Sequence, residues 1–298
     1  MSVLALVLVL AAAVAHAAWN IIAHGTSRSG VPFLWWGALL STVMWAVAIP
    51  FTGGWGPASL SGFCAGVGTS AVLHVAYMLV LQRGYAVGDL STAYATARGT
   101  GPLLTVVVAV VVLGERLSAV AVVGVLAVIV GVVAVGFVDR ERERGSGTRR
   151  RPGLDPAVVF GLLTGVAIAA YTVWDAFALR TWEVPPVAYM VGCTALELPL
   201  LTLLMVARRA RRDAFGSLGA VWRMHWRRLV AFGFLSPLSY ILVLTAITIA
   251  PVALVAPIRE VSVVLVSLFG AWVLREAHPG RRVAASVLVA AGVLLIAM

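Results

Sequence analysis

The chain has 298 residues, of which 61% are apolar and only 11% are charged. Soluble domains usually carry about 25% charged residues, so the composition excludes a soluble enzyme, a nucleic-acid-binding domain and a disordered chain. The formal net charge is +10, and all 22 basic residues are arginines. These arginines lie at the ends of apolar runs, which is typical of membrane protein loops rather than of a surface that binds nucleic acid. We therefore expect an all-α, multi-pass membrane protein.

Ten apolar segments are long enough to cross a bilayer, whose hydrocarbon core of about 30 Å requires about 20 helical residues. The first carries an Ala15-His-Ala17 sequence that resembles a signal-peptidase site, but no basic region precedes it, so we interpret it as a membrane helix. The last is short and requires Arg281 and Arg282 to extend towards the interface. The predicted helices span residues 3–23, 33–51, 60–82, 88–113, 118–138, 156–178, 187–206, 229–248, 252–274 and 281–298.

The arginines are unequally distributed between the two sides that a ten-helix topology creates. Loops that join an odd-numbered helix to the next even-numbered helix form the arginine-rich face, and the other loops, with only Arg116 and Arg180, form the arginine-poor face. Because positive charge collects in cytoplasmic loops, we expect both termini to lie outside the cytoplasm of a bacterial cell, in whose cytoplasmic membrane we place the protein. The arginine-rich face holds 18 arginines: Arg28, Arg83, six between 140 and 151, seven between 208 and 228, and Arg275, Arg281 and Arg282.

The two halves of the chain resemble each other. An offset of 161 residues superimposes Arg98 on Arg259, Leu113 on Leu274, Glu115 on Glu276 and Gly131 on Gly292. Each half has five predicted helices, an odd number, so the second half enters the membrane inverted. Inverted repeats are typical of secondary transporters, which bind substrate near the middle of the membrane between the repeats. We expect repeats over residues 1–138 and 156–298, joined by a charged cytoplasmic linker over 139–155.

Several motifs resemble EamA-type transporters of the drug/metabolite transporter superfamily. They are Gly88-Asp-Leu-Ser-Thr-Ala-Tyr94, Ala97-Arg98-Gly99 followed by Pro102, Leu113-Gly-Glu-Arg-Leu117 and, in the first helix, His16-Ala-Ala-Trp19-Asn20. The second half departs from this pattern where Pro257-Ile-Arg259-Glu260 replaces Thr96-Ala-Arg98-Gly99 and where Leu274-Arg-Glu276 replaces Leu113-Gly-Glu115. The resemblance implies a fold of ten helices in two five-helix repeats, and export or exchange of small metabolites.

Polar side chains inside the apolar segments are the candidate site residues. An ionisable group at the bilayer centre costs about 2.5–3.5 kcal/mol, so it faces the bundle interior and has a partner. One face of the first helix carries three such candidates at spacings of three and four residues, and one face of the sixth helix repeats that spacing. The alternative role is helix packing, above all for the tryptophans. The expected substrate pathway comprises His16, Trp19, Asn20, Tyr77, Arg98, Tyr171, Trp174, Asp175, Tyr240, Arg259 and Glu260.

Two arginines lie eight to ten residues inside their predicted helices, and they suggest two competing roles. A guanidinium at Arg98 or Arg259 suits a carboxylate or phosphate of the substrate. Alternatively, either arginine forms a structural ion pair with Glu260, Asp175 or Glu197. The residue types alone leave both roles open.

Glu197 is the candidate for proton coupling. It lies in the middle of a predicted helix, and no basic residue is near it in the sequence. Because desolvation disfavours a charged carboxyl group, Glu197 is suited to bind a proton on one side of the membrane and release it on the other. The alternative is a neutral carboxyl that only bonds a neighbouring helix.

These features predict a secondary transporter that moves a small metabolite by alternating access, in export or exchange. An amino acid or another anionic or zwitterionic solute suits the intramembrane arginines. We expect the solute and the lipid bilayer as partners, a monomer or homodimer, no nucleic acid, no metal and no cofactor. The alternative is an intramembrane enzyme or a non-transporting membrane subunit, but the sequence has no HExxH motif, P-loop or paired cysteine and histidine ligands.

Overall fold

The computed structural model describes residues 1–23, 26–56, 59–87, 90–144, 156–207, 211–272 and 279–298. Within these ranges the chain forms eleven α-helices and two short 3-10 turns, at Thr26–Ser29 and Ile49–Phe51, and no strand. The helices are α1 (Val3–Ala23), α2 (Val31–Ala46), α3 (Leu60–Val87), α4 (Leu90–Val112), α5 (Ala119–Arg144), α6 (Pro156–Trp182), α7 (Pro186–Ala207), α8 (Arg211–Ile249), α9 (Val252–Arg259), α10 (Val261–Trp272) and α11 (Pro279–Ala297).

The length and the surface of these helices are those of a membrane protein. Six described segments are long and apolar enough to cross a membrane, and four shorter apolar helices accompany them. Large apolar side chains such as Val7, Val111, Leu203 and Leu294 are exposed on the outside of the bundle. An apolar surface of this extent is stable against lipid and unfavourable against water. The chain is therefore an all-helical, multi-pass membrane protein, as the sequence predicts.

Several boundaries differ from the predicted ones. The second predicted helix ends at Ala46, before the 3-10 turn at Ile49–Phe51. The ninth predicted helix is divided at Glu260 into α9 and α10, where the N–H of Glu260 donates to the carbonyl of Pro257, three residues back, at 3.0 Å. The eighth begins at Arg211 rather than at 229, so most of a predicted arginine-rich loop is helical. The fifth continues to Arg144, into the predicted linker. Residues 145–155, and with them most of that linker, lie outside the described residues, as does Glu276.

Helices of the two halves pack against each other in corresponding pairs. Helix α1 of the first half packs against α8 of the second half. Its counterpart in the second half, α6, packs against α3 of the first half. Likewise α4 packs against α6, and α9 and α10 pack against α1. Three further pairs join equivalent helices: α2 with α7, α4 with α9, and α5 with α11. The interior of the bundle is therefore a layer shared by both halves.

The pair α5 and α11 shows why small residues recur at the same place in both halves. A Cβ built on Gly124 would lie 2.7 Å from the carbonyl oxygen of Gly292, and one built on Gly292 would lie 2.7 Å from that of Gly124. A Cβ on Gly131 would lie 2.5 Å from Cγ2 of Val289. Such close approach of two backbones is typical of helix pairs in membranes. Gly131 and Gly292 thus keep two equivalent helices in contact.

Candidate functional site

A buried ion pair joins the two halves in the middle of the bundle. Nη1 of Arg98, on α4, donates to both carboxylate oxygens of Glu260 at 3.3 and 3.2 Å. Glu260 lies in the break between α9 and α10 and is 1% exposed. Nη2 of Arg98 lies 2.8 Å from Nε2 of His16 on α1. Since a guanidinium only donates hydrogen bonds, this His16 nitrogen is the acceptor and its ring is neutral.

Arg259, which corresponds to Arg98 in the second half, has a different environment. Its Nε lies 3.7 Å from Oε1 of Glu260, an ionic contact that is too long for a hydrogen bond. Nε is buried without a hydrogen-bond partner among the described residues. The whole residue is 5% exposed. A charged donor that is buried but not hydrogen-bonded is costly, so Arg259 is a group that a ligand anion would stabilise.

The residue that follows each arginine accounts for the different surroundings of Arg98 and Arg259. At an offset of 161 residues, Glu260 stands where the first half has Gly99. A Cβ at Gly99 would lie 2.5 Å from Cγ2 of Val133 on α5, so the first half has no room there for a side chain. Of the two equivalent positions, only the one in the second half carries a carboxylate, that of Glu260. The guanidinium groups of Arg98 and Arg259 both contact it.

Asp175, on α6, is a further buried acidic residue in the bundle. It is fully buried, and it accepts a hydrogen bond of 2.8 Å from the hydroxyl of Tyr189 on α7. Its other oxygen accepts a hydrogen bond from the hydroxyl of Tyr240 on α8. We call His16, Arg98, Asp175, Arg259 and Glu260 the polar centre.

Four aromatic rings border the polar centre. The ring of His74, on α3, stacks on Tyr171 with centroids 4.2 Å apart and meets Tyr240 edge-on at 5.4 Å. Tyr77 contacts Tyr171 at 5.4 Å, and Tyr171 contacts Tyr240 at 6.0 Å. The Nδ1 atom of His74 is 3.1 Å from the Ser70 hydroxyl. This aromatic wall brings Tyr77, Tyr171 and Tyr240 of the predicted pathway together.

Glu197 lies apart from the arginines, on the face of α7 that begins at Tyr189. Tyr189, Cys193 and Glu197 follow one another at intervals of four residues, so they share one helix face. Glu197 is 5% exposed, and no hydrogen bond or salt bridge joins it to a described residue. Its role in proton coupling stays a prediction.

The remaining predicted residues are Trp19, Asn20 and Trp174. The side chain of Asn20 donates to the carbonyl of His16 within its own helix, at 2.8 Å. Nε1 of Trp174 donates to the carbonyl of Gly66 on α3, at 3.0 Å. Trp19 packs edge-on against His16 of the polar centre and against Phe232, and its Nε1 is buried without a hydrogen-bond partner among the described residues. For Asn20 and Trp174 this geometry favours the packing role.

Two groups of residues at the site were not predicted. Tyr189 binds Asp175, and its four-residue spacing to Cys193 and Glu197 is the signal that would have revealed it. Glu115 and Arg180 bind each other at the arginine-poor face, at 2.9 Å. Nothing in the sequence brings these two together, because they are 65 residues apart and belong to different halves.

Comparison with known proteins places the second half of this bundle in a family of membrane transporters. Residues 155–298 match the model of the EamA-like transporter family. This half of the chain thus belongs to that family, and the match confirms the resemblance to EamA-type transporters of the drug/metabolite transporter superfamily, although the motifs that suggested it are clearer in the first half.

Comparison with whole structures and sequences adds the fold. A solved structure described only as the crystal structure of a protein is 22% identical, with a TM-score of 0.70, and the match covers 98% of this chain and 95% of that one. At this identity the likeness concerns the fold, over nearly the whole of both chains. Comparison with curated protein sequences finds no match.

Proposed function

We propose that the protein is a secondary transporter that moves a small carboxylate-bearing solute of the amino-acid type, by alternating access, in export or exchange. The observation that carries this proposal is Arg259, a buried guanidinium whose Nε has no hydrogen-bond partner among the described residues. The proposed location is a bacterial cytoplasmic membrane, and the proposed assembly is a monomer or a homodimer. The EamA-like family supports the class of function.

The charges of the polar centre favour a substrate with a negative group. Arg98 and Arg259 share the carboxylate of Glu260, and Arg98 binds it with two hydrogen bonds whereas Arg259 has none. A substrate carboxylate at Arg259 gives this guanidinium the charge-assisted hydrogen bonds that the protein does not supply. A guanidinium matches a carboxylate in a planar, two-bond geometry. Arg259 is therefore the proposed binding site for the substrate anion.

The surroundings of Asp175 favour a substrate with a positive group as well. Asp175 is held by Tyr189 and Tyr240, and the faces of Tyr171 and Tyr240 lie in the aromatic wall. A carboxylate and tyrosine rings both attract an ammonium group. A zwitterion that binds both groups would place its carboxylate at Arg259 and its ammonium at Asp175. Amino acids have this arrangement of charges.

The packing of the two halves supports an inverted repeat. Exchanging each helix of the first half for its counterpart in the second reproduces the observed pairs, such as α1 with α8 and α6 with α3. Secondary transporters built in this way bind substrate at the repeat interface, often beside interrupted helices. The polar centre lies at this interface, and the break between α9 and α10 is beside it. Alternating access then consists of rocking one half against the other.

Glu197 is the proposed site of proton coupling. It is buried without a basic partner among the described residues, and Asp175 is the charge that acts on it. A buried carboxyl group of this kind is suited to bind a proton on one side of the membrane and to release it on the other, because desolvation disfavours its charged form.

The direct test compares the metabolites released by three kinds of cell: a deletion strain, a strain that overexpresses the protein, and one that overexpresses Arg259→Gln at equal membrane abundance. We expect overexpression to raise the external concentration of at least one amino acid or related solute, and Arg259→Gln to abolish the rise. Arg227→Gln is the matched control, because Arg227 lies over the exposed ring of Trp226, away from the polar centre. Equal release from all strains would refute export, and equal uptake of labelled amino acids into loaded vesicles with and without the protein would refute exchange.

A further inference from the structure

A cluster of hydrogen bonds closes the bundle at its arginine-poor face. Glu115 lies in the loop between α4 and α5, and its carboxylate accepts the backbone N–H groups of Val252 and Ala253 at 2.8 and 2.9 Å. These two groups are the first of α9, whose N-cap Pro251 provides no side-chain hydrogen bond. A residue of the first half thus caps a helix of the second half, in the position where a negative charge is most favourable.

Arg180, at the last turn of α6, completes this cluster. Its Nη1 donates to Oε1 of Glu115 at 2.9 Å. Its Nε and Nη2 donate to the carbonyl of Ile247 at 3.1 and 2.9 Å, and Nη2 also donates to the carbonyl of Ala250 at 2.8 Å. These carbonyls end α8, where a positive charge is favourable. The junction of α8 and α9 is therefore held from both sides, by a cation on one helix end and an anion on the other.

The cluster is connected to the polar centre by α9 itself. The helix has eight residues and a length of about 12 Å. Glu115 binds its first turn, and Arg98 binds Glu260 immediately after its last residue, Arg259. Both contacts come from the first half of the chain. A movement that releases one end of α9 therefore changes the contact at the other end.

The exposure of these residues marks the boundary with solvent. The side chain of Arg180 is 34% exposed, whereas that of Glu115 is 8% exposed. Arg180 lines a surface pocket together with Leu179, Glu183 and Thr248. Leu244 is fully buried, and on α8 it lies one turn from Thr248 of the pocket and one turn from Tyr240. Arg180 thus borders the open pocket and also holds Glu115.

We propose that Glu115 and Arg180 form the gate that closes the substrate pathway at the arginine-poor face, and that α9 couples this gate to substrate at Arg259. The proposal rests on the proposed transport function. To open the gate, Glu115 leaves the two N–H groups of α9 and Arg180 leaves the carbonyls of α8. Water replaces these bonds at a partly exposed site, which makes this contact easier to release than the buried pair of Arg98 and Glu260.

The test measures how fast a membrane-impermeant thiol reagent reaches a cysteine behind the gate. The reporter is Leu244→Cys in protein whose Cys64 and Cys193 are replaced by serine, in intact cells and in inverted membrane vesicles. We expect Glu115→Gln and Arg180→Gln each to raise the labelling rate roughly tenfold from the arginine-poor side and to leave it unchanged from the other side. Arg116→Gln is the matched control, because it removes an exposed charge from the same face and does not line the pocket.

The labelling result decides between two clear outcomes. Faster labelling from the arginine-poor side alone, in the two gate variants alone, supports the gate. Unchanged labelling in properly folded Glu115→Gln and Arg180→Gln protein overturns it. So does a rise of the same size in the Arg116→Gln control.

A second experiment does not depend on the reporter position. A cleavable thiol cross-linker joins Glu115→Cys to Arg180→Cys, and solute exchange by proteoliposomes is measured before linking, after linking and after cleavage. We expect cross-linking to stop exchange and cleavage to restore it. Exchange at the unlinked rate by fully cross-linked protein would overturn the gate.

The two proposals fail in different ways. Loss of transport in Arg259→Gln with unchanged labelling in Glu115→Gln would leave the binding site standing and overturn the gate. Faster labelling in Glu115→Gln with normal transport in Arg259→Gln would leave the gate standing and overturn the binding site.

Discussion

The two halves of this bundle carry equivalent arginines in unequal surroundings. In the first half, α4 continues past Arg98 and Pro102 as one helix, and Gly99 packs against Val133 of α5. In the second half, the helix stops directly after Arg259, and Glu260 lies in the break. Both arginines face this one carboxylate, but only Arg98 forms hydrogen bonds with it.

This difference assigns the two arginines different roles. Arg98 is held by Glu260 and by His16, so it joins α1, α4 and the α9–α10 break across the middle of the membrane. Arg259 is buried without a hydrogen bond at Nε among the described residues. A duplicated position has therefore become a structural ion pair in one half and, in our proposal, a substrate site in the other.

The proposed inversion of the second half relative to the first gives the largest expected difference. We expect that in the linker at 139–155 only a reporter that works in the cytoplasm is active. At the C-terminus we expect that only a reporter that works outside the cytoplasm is active. The reason is that five membrane segments lie between the two sites, an odd number. If the same reporter is active at both sites, the inversion is contradicted. If the external reporter is active in the linker and the cytoplasmic reporter at the C-terminus, the inversion stands and only the predicted orientation in the membrane is wrong.

Removing the shared carboxylate is expected to have the largest effect on folding. In Glu260→Gln both arginines lose their ionic partner, and breaking a buried ion pair in this way costs about 3–5 kcal/mol. We expect a clear fall in membrane abundance and in the melting temperature of the purified protein. The double variant Arg98→Met/Glu260→Gln should recover part of this loss, because it removes one unpaired charge. A melting temperature of Glu260→Gln equal to that of the wild type would contradict the structural role of the pair.

Glu197→Gln is expected to separate coupling from substrate binding. Glutamine keeps the shape and hydrogen bonds of the neutral carboxyl but cannot bind or release a proton. In proteoliposomes we expect loss of solute accumulation driven by a pH gradient, with solute exchange retained, since exchange requires no net proton movement. Glu183→Gln is the control, because Glu183 is exposed at the arginine-poor face. Accumulation at the wild-type level in Glu197→Gln would exclude this residue as the coupling site.

The smallest expected effect on stability is that of a substitution at Gly99. This glycine of α4 stands where the second half has Glu260, between α9 and α10. In Gly99→Ala the new Cβ meets Cγ2 of Val133 at 2.5 Å, and such overpacking costs about 1–3 kcal/mol. We expect a modest fall in melting temperature that Val133→Ala reverses in the double variant. If Gly99→Ala melts like the wild type, close packing does not explain why the first half has no side chain at this position.

The sequence predicted the fold well because helix length, proline, glycine and arginine placement act locally. Eight of the ten segments appear as single helices in the described residues, and the polar positions Arg98, Asp175, Arg259 and Glu260 lie inside the bundle. The sequence does not determine which arginine binds Glu260, because that depends on the break after Pro257 and on the space beside Gly99. Glu115 was visible as a motif residue, but its partners are backbone groups of α9, which no sequence pattern marks.

The assignment of Arg259 to the substrate anion is tested most directly by ligand-induced stabilisation of purified protein. The probes are a panel of L-amino acids, each paired with the amine that lacks its carboxylate. We expect at least one amino acid to raise the melting temperature of the wild type, its amine to have no effect, and Arg259→Gln to lose the response while its own melting temperature stays within a few degrees. The affinity lost should be roughly 10–100-fold, the value of charge-assisted hydrogen bonds of about 1.5–3 kcal/mol. Equal stabilisation by an amino acid and its amine, or an undiminished response of Arg259→Gln, would contradict the account.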